Sequence, residues 1–562
     1  MNPQTAVYTR VSMTAASHDN TNLKHMAKKG IVTAALLVGA AGAGFAGYKY
    51  LYSGQSNPGD LAAVIPADAY MAAYISNEPE AWAKLQKFGT PAAQRVITAQ
   101  IKEAEQKFLA QSKMDFNNDI QPWLGNTMVA ILPDAGDRSA KPQILMAIGI
   151  KDKIKALDFA NKLKAQSKEP TKKFDYKGIE ITDNGQGSNE IFSAIVNDRL
   201  VVAPEQRTLE LAIDTAKGQP SLTTKAGNDW FKADTLQLKQ PIMAFYLPDY
   251  LQGVQQLLKS GKQPVTLDPA TLTQLKKIQS LGGGIAIDDA GIRMKLIAKT
   301  DGTTLSLPTT SAKAIGSFPA DTFALIGGTG LSQIWTEANK VAQTQPGTQQ
   351  IFTQMRQGFT QSTQLDLDKD VFGWMGGEYT VGMMPVSTGI TAMAGFGGAL
   401  TIDSTDRAVT DNTMTKLVNL AKGYGLSAEQ RQVGSTQISD IKAPAGQGTL
   451  LSYGWLSDKS LTVAMGDGLL DKIANHSGES IDRTPNFAAT MGAMPSQKQS
   501  YTYIDIEKVY GLFNGKMSGS MGTIPADVNA MITSVQWLGM SSTQPDKNTN
   551  QVEALLTLKP NK

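Results

Sequence analysis

One short pattern occurs twice in this chain, and its spacing limits the architectures open to it. The first copy is Met114-Asp115-Phe116-Asn117-Asn118-Asp119-Ile120-Gln121-Pro122-Trp123-Leu124-Gly125. The second is Leu365-Asp366-Leu367-Asp368-Lys369-Asp370-Val371-Phe372-Gly373-Trp374-Met375-Gly376. Each reads as an acidic turn that leads into Trp, an apolar residue and Gly. Other anchors keep the same order. Ile65-Pro66-Ala67-Asp68 is matched by Phe318-Pro319-Ala320-Asp321, 253 residues on, and Trp82 is matched by Trp335 at the same offset. Trp123 and Trp374 lie 251 residues apart. Ala244-Phe245-Tyr246-Leu247 before Asp249 has its mate in Thr502-Tyr503-Ile504 before Asp505. A period this long exceeds a solenoid unit and indicates a duplicated domain.

The expected fold is therefore α+β, a tandem duplication over 61–299 and 314–559 with a linker at 300–313. Each half is expected to be a largely antiparallel sheet with covering helices. Residues 61–64 and 71–75 read as strands. Pro91 suits the first turn of a helix reaching about residue 110. Residues 278–286 and 292–298 read as a hairpin, with Asp288-Asp289-Ala290-Gly291 as its turn. Short links of this kind favour antiparallel pairing. The strands and helices do not alternate regularly, which excludes a doubly wound parallel fold.

The N-terminus carries a localisation signal. Residues 1–30 form a polar tail with Arg10, Lys24, Lys28 and Lys29. Residues 31–52 are apolar or small apart from Lys49, which is about the length that crosses a bilayer. The segment is expected to be a transmembrane anchor with a cytoplasmic N-terminus, or a signal sequence cleaved near its small residues. Residues 53–60 read as a linker.

Ile65-Pro66-Ala67-Asp68, Trp82, Phe88-Gly89-Thr90-Pro91, Asp119-Ile120 and Trp123-Leu124-Gly125 follow one another in an order that resembles the cyanobacterial domain-of-unknown-function family 3352. The likeness covers most of the chain after residue 60. It implies an anchored or exported protein of cyanobacterial type, with its bulk in the periplasm or thylakoid lumen. It brings no catalytic residue and no cofactor. The second half departs from the pattern: Phe318 replaces an aliphatic residue, and no Phe-Gly-Thr-Pro follows Trp335.

Chemistry is narrowed by what is missing. There is no cysteine, so disulfides, thiolate nucleophiles and cysteine-held metals are excluded. The only histidines are His18, His25 and His476, and a surface-loop role is expected for the last. A net charge of +3, with bases and acids interspersed, leaves no nucleic-acid footprint. Asp366, Asp368 and Asp370 alternate and are candidate calcium ligands, but the stretch lacks the glycine and terminal glutamate of an EF-hand. Turn or capping roles are the competing expectation. Gly327-Gly328-Thr329-Gly330 lacks the lysine of a phosphate loop, and Gly282-Gly283-Gly284 falls inside a strand or bend. No Gly-x-Ser-x-Gly elbow occurs.

Trp123 with Gly125, and Trp374 with Gly376, are expected to pack in the core or to form an amphipathic surface patch. The functional expectation is a non-enzymatic, membrane-tethered interaction or assembly protein with a protein partner and no cofactor. One alternative is a carrier for a lipid or small apolar molecule, with some of the 22 methionines as adaptable lining. Another is an unrecognised carboxylate-dependent hydrolase.

Overall fold

Alternation at period two builds most of the strands. In the segment Glu378–Pro385, Thr380, Gly382 and Met384 turn inward while Val381, Met383 and Pro385 turn outward. The computed structural model describes residues 57–109, 115–133, 142–166, 172–183, 191–225, 230, 235–259, 267–444, 448–475, 478–516 and 524–561. Its first ten strands are β1 Met71–Ile75, β2 Leu124–Leu132, β3 Gln143–Ile150, β4 Lys172–Tyr176, β5 Ile179–Asp183, β6 Phe192–Val196, β7 Arg199–Ala203, β8 Met243–Leu247, β9 Ile278–Asp288 and β10 Gly291–Thr300. Ten more follow: β11 Ala324–Thr329, β12 Glu378–Pro385, β13 Phe396–Asp403, β14 Ser427–Val433, β15 Thr436–Lys442, β16 Thr449–Trp455, β17 Ser460–Met465, β18 Ser500–Asp505, β19 Val535–Asp546 and β20 Thr549–Leu558.

All twenty strands belong to one antiparallel sheet. Its centre is the pair β10–β20, in register from Gly291 opposite Thr557 to Lys299 opposite Thr549. Outward from β10 the order is β9, β8, β1, β2, β3, β7, β6, β5, β4. Outward from β20 it is β19, β18, β11, β12, β13, β17, β16, β15, β14.

The expected division into two halves, each with its own sheet, is thus corrected. What recurs is a strand order inside a single sheet. The physical reason lies at the join. A lone β10 and a lone β20 would each present a row of unpaired backbone groups, and pairing them satisfies both rows. Arg293 on β10 reinforces the seam by bridging Asp288 and, across it, Glu553 on β20. The outer edges carry charge instead: Lys172, Lys173 and Asp175 on β4, and Glu429 and Arg431 on β14. Such charges deter further strand addition.

Apolar clusters fill both faces. On one, Ala72, Tyr74, Met128, Leu145, Val201 and Tyr246 meet Leu61, Leu209 and Ile213 from short helices. Farther along the sheet, Leu325, Met384, Ala399, Tyr501 and Tyr503 meet Phe318, Leu469, Ile473 and Phe487. The other face is covered in patches, including Ile402 and Leu461 beneath Met414, and Ile148 and Leu200 beneath Phe159.

Several local expectations change. Residues 61–64 are not a strand, because Pro58–Ala62 is a helix capped reciprocally by Asn57 and Asp60. The helix therefore begins inside the expected linker at 53–60.

Among the described residues no helix is long and apolar enough to cross a membrane. The longest, Pro91–Leu109 with 19 residues, carries Arg95, Lys102, Glu103, Glu105 and Lys107. A one-sided helix such as Gln206–Ala216 buries Leu209, Ala212 and Ile213 and leaves Arg207 exposed. The expected N-terminal membrane helix and the single-pass membrane location are corrected on this finding. Residues 31–52, from which that expectation came, lie outside the described residues, as does His476.

Candidate functional site

The repeated motif forms the same local knot twice. Asp115 caps a π turn over Phe116–Ile120, its carboxylate accepting from the Asn118 amide at 2.8 Å. Its own N–H donates to the Asp119 carboxylate at 2.9 Å. Asp366 caps the π turn Leu367–Val371, accepting from the amides of Asp368 and Lys369 at 2.9 and 3.0 Å. Its N–H donates to Asp370 at 2.8 Å.

Each indole closes its turn. Trp123 Nε1 donates to the Asp119 carbonyl and Trp374 Nε1 to the Asp370 carbonyl, both at 2.9 Å. Both side chains are buried, Trp123 at 1% and Trp374 at 4% exposure, which assigns them to packing rather than to a surface patch. Gly125 lets β2 press on β3, since a Cβ there would lie 2.6 Å from the Gly149 carbonyl oxygen. In the second copy the equally tight glycine is Gly377, packed on the Asp403 carbonyl, while Gly376 faces the Thr405 side chain.

The three aspartates do not converge. Asp366 and Asp370 are held in the capping bonds. Asp368 turns away to accept from Trp335 Nε1 at 2.5 Å and Arg356 Nε at 2.8 Å. The Arg356 hydrogen bond, with those from Trp335 and Asn339, holds the Asp368 carboxyl below its usual range. Among the described residues no group of three or more His, Cys, Asp or Glu could hold a metal ion. A depression of about 570 Å³ lies beside Trp335, Asp368 and Phe372. The Trp335 ring there already stacks on Phe372 at 4.2 Å between centroids.

The sheet builds a second cavity, of about 530 Å³, against β1 and β8. Small residues make room for it: Ala72 and Ala244 line it directly. Gly282 and Gly284 of β9 let Trp230, Leu236 and Leu238 lie down on the sheet. A Cβ at Gly282 would overlap the Trp230 ring, and one at Gly284 would sit 2.9 Å from Leu238 Cδ1. The apolar wall is Tyr74, Trp230, Leu236, Leu238 and Tyr246. Trp230 and Tyr246 are tilted rings 5.2 Å apart. In the matching place on β18, Phe487 of the helix Pro485–Met491 packs on Tyr503 at 5.0 Å.

Polar groups gather at one side. Ser76 Oγ lies 3.4 Å from Asn126 Oδ1, which also accepts from the Asn77 amide at 2.9 Å. Glu78, Glu80 and Gln240 complete the lining there. Burial raises the Tyr74 hydroxyl against its bond with Ser76, and pushes Tyr246 up to about 12 against its bonds with Ser280 and Trp230. Both phenols are protonated at neutral pH and act as hydrogen-bonding groups, not as bases.

The candidate residues named from sequence do not line this cavity. Trp230, Tyr74 and Glu78 were missed. The available signal was Gly282-Gly283-Gly284: a glycine run within a strand marks side chains or backbone lying close across it.

The family described as "Protein of unknown function (DUF3352)" matches residues 31–558, and the chain belongs to that family. No curated protein matches it. Two solved structures, crystal forms IV and III of TP0453, each share 11% identity at a TM-score of 0.25. They cover 43% and 44% of this chain, and 80% and 82% of their own. A likeness that low carries no argument.

Proposed function

We propose that the protein is a non-enzymatic binding protein that holds a small apolar molecule or lipid against β1 and β8. The observation behind this reading is the cavity of about 530 Å³, with three aromatic side chains on its wall and polar groups to one side. Ligand sites combine these features: a concave apolar body and a few polar groups that set orientation. The hydrolase reading has less support. Carboxylates that converge elsewhere are bridged by arginine, as Asp440 and Asp471 are by Arg431. Native mass spectrometry of the full chain, purified without detergent, tests the proposal. A co-purified ligand is expected, and its retention after Trp230→Ala would count against this cavity.

A second reading, as an interaction or assembly protein, draws on the sheet's outer face. Ile326, Val381, Met383 and Met465 are 50%, 39%, 37% and 54% exposed. Ile326 is opposite Val381, and Gly398 pairs with both Met383 and Met465, so the four are neighbours. A contiguous apolar patch of this kind suits a protein partner. A photo-crosslinker at position 381 that captures no protein in cells would remove this reading. The motifs Ile65-Pro66-Ala67-Asp68, Trp82 and Trp123-Leu124-Gly125 also support a cyanobacterial source, which the taxonomic spread of the family would test.

A further inference from the structure

The helix Pro346–Thr363 keeps an uncharged face in solvent. Its inner side is occupied. Phe352 stacks on Trp335 at 5.5 Å between centroids, and Arg356, the helix's single charged residue, is held by Asp368 at 2.8 Å. On the outer side Gly347, Ile351, Met355, Gly358 and Ser362 fall into one stripe at helical spacing. All five are exposed, Ile351 at 64% and Met355 at 41%. A Cβ at Gly347 or Gly358 would meet nothing within 4 Å, so the two glycines are open notches beside two apolar knobs. Gln350, Gln354, Gln357 and Gln361 run along one flank and are exposed as well. The helix in the matching place of the other arm, Pro91–Leu109, carries Arg95, Lys102, Glu103, Glu105 and Lys107. The uncharged face is thus particular to Pro346–Thr363.

Knobs and notches follow the same order from either end of the stripe. With two such helices antiparallel about a two-fold axis beside Gln354 and Met355, Ile351 seats on the partner's Gly358 and Gly347 on the partner's Ser362, each contact occurring twice. The same operation keeps both glutamine flanks on one side, with Gln350 next to the partner's Gln357 and Gln354 next to the partner's Gln354. A carboxamide both donates and accepts, so glutamine can pair with its own copy, whereas a lysine or glutamate beside a two-fold meets its like. We propose that this face joins two copies of the chain in an antiparallel, two-fold helix pair, with Ile351 and Met355 as its core and the glutamines as its rim. A lipid surface fits less well, because interfacial helices draw on Lys and Arg along the polar face, and the one arginine here is already paired. A single helix pair buries less than the ~800 Å² per partner of a standard stable interface, so the dimer is weak and reversible. The surface is separate from the cavity against β1 and β8, and the proposal does not depend on that reading.

Sedimentation velocity of the full chain tests it, from about 1 μM to about 300 μM, the range in which a weak dimer forms. The mass is expected to rise towards that of a dimer with concentration. Gly358→Arg fills the notch but points into open space in the monomer, so folding is retained and the dissociation constant should rise on the order of tenfold or more. Ile351→Gln, on an exposed side chain, should act in the same direction. The chain has no cysteine, so a single introduced one reports a single contact. Gln354→Cys should crosslink to its own copy with a short bismaleimide. Gln361→Cys, roughly 20 Å from its own copy along an antiparallel pair, should not. A monomer at every concentration, association that Gly358→Arg leaves unchanged, or crosslinking as strong at 361 as at 354 would overturn the proposal.

Discussion

Tyr501 lies across Gly327: a Cβ on that glycine would overlap the phenol ring, and the ring's hydroxyl meets Thr380 Oγ1 at 2.7 Å. The pair sits in direct register on β18 and β11. In the other arm of the sheet the large and small partners are exchanged, with Tyr74 on β1 opposite Ala244 on β8. Gly327→Ala should therefore displace a buried ring and destabilise the protein by about 1–3 kcal/mol. The urea midpoint reads this, and an unchanged midpoint would mean that Tyr501 can move freely.

Trp123→Ala and Trp374→Ala should each cost about 3–5 kcal/mol, the range for an aromatic side chain removed from a close-packed core. Both rings fill buried positions, Trp123 against Phe159 at 5.3 Å and Trp374 among Ile402, Met414 and Leu461. Phenylalanine at either place should recover part of the loss without restoring the hydrogen bond to the turn. Denaturation curves of the four variants give the comparison, and a loss under about 1 kcal/mol for either alanine would contradict the packing.

Acid should weaken the β14–β15 end. Burial alone would raise Asp440, but its bonds with Arg431 and Ser452 outweigh this and hold the carboxyl below its ordinary value of 3.8. A depressed folded value means stability that is complete above the unfolded pKa and lost as pH falls through the folded one. Wild type should thus lose stability as pH drops below the ordinary aspartate value. Asp440→Asn should begin lower and show a flatter acid limb. Parallel slopes would show that this carboxylate does not couple to folding.

Alkali should act through buried phenols. The folded pKa of Tyr246 is about 12 against an ordinary value of 10.0, and burial raises Tyr501 and Tyr503 in the same direction. Their contribution is complete below the unfolded pKa and is lost as pH rises from there towards the folded one. An ultraviolet titration should show a late-ionising group of tyrosines that joins the early group once the protein is unfolded. A single early transition in the folded protein would refute their burial.

Much of the local structure was legible. Asp115 and Asp366 act on backbone amides within their own turns, so capping chemistry can be read from a few neighbouring residues. The hairpin at Asp288-Asp289-Ala290-Gly291 is equally local. β14 was hidden because Ser427–Val433 is a polar, largely exposed edge with no apolar alternation. The single sheet was hidden for a different reason. Nothing near β10 specifies β20 as its partner, and the choice arises only when two open edges meet. The cavity was missed because Trp230 reaches the sheet from a distant segment. The run Gly282-Gly283-Gly284 marks a close approach to β9 but does not name the indole that makes it.

The seam between β10 and β20 also sets a timetable for synthesis. The ribosome releases β10 while β20, the last strand of the sheet, is still untranslated. At ordinary elongation rates the wait is on the order of ten to fifty seconds. During that time Gly291–Thr300 presents an open hydrogen-bonding edge bearing Ile292, Met294 and Leu296. Neighbouring nascent chains on one polysome carry the same edge, and antiparallel pairing between two copies of β10 would compete with the native join. The protein's yield in a cell should therefore depend on how well chaperones shield one strand until the end of the chain arrives.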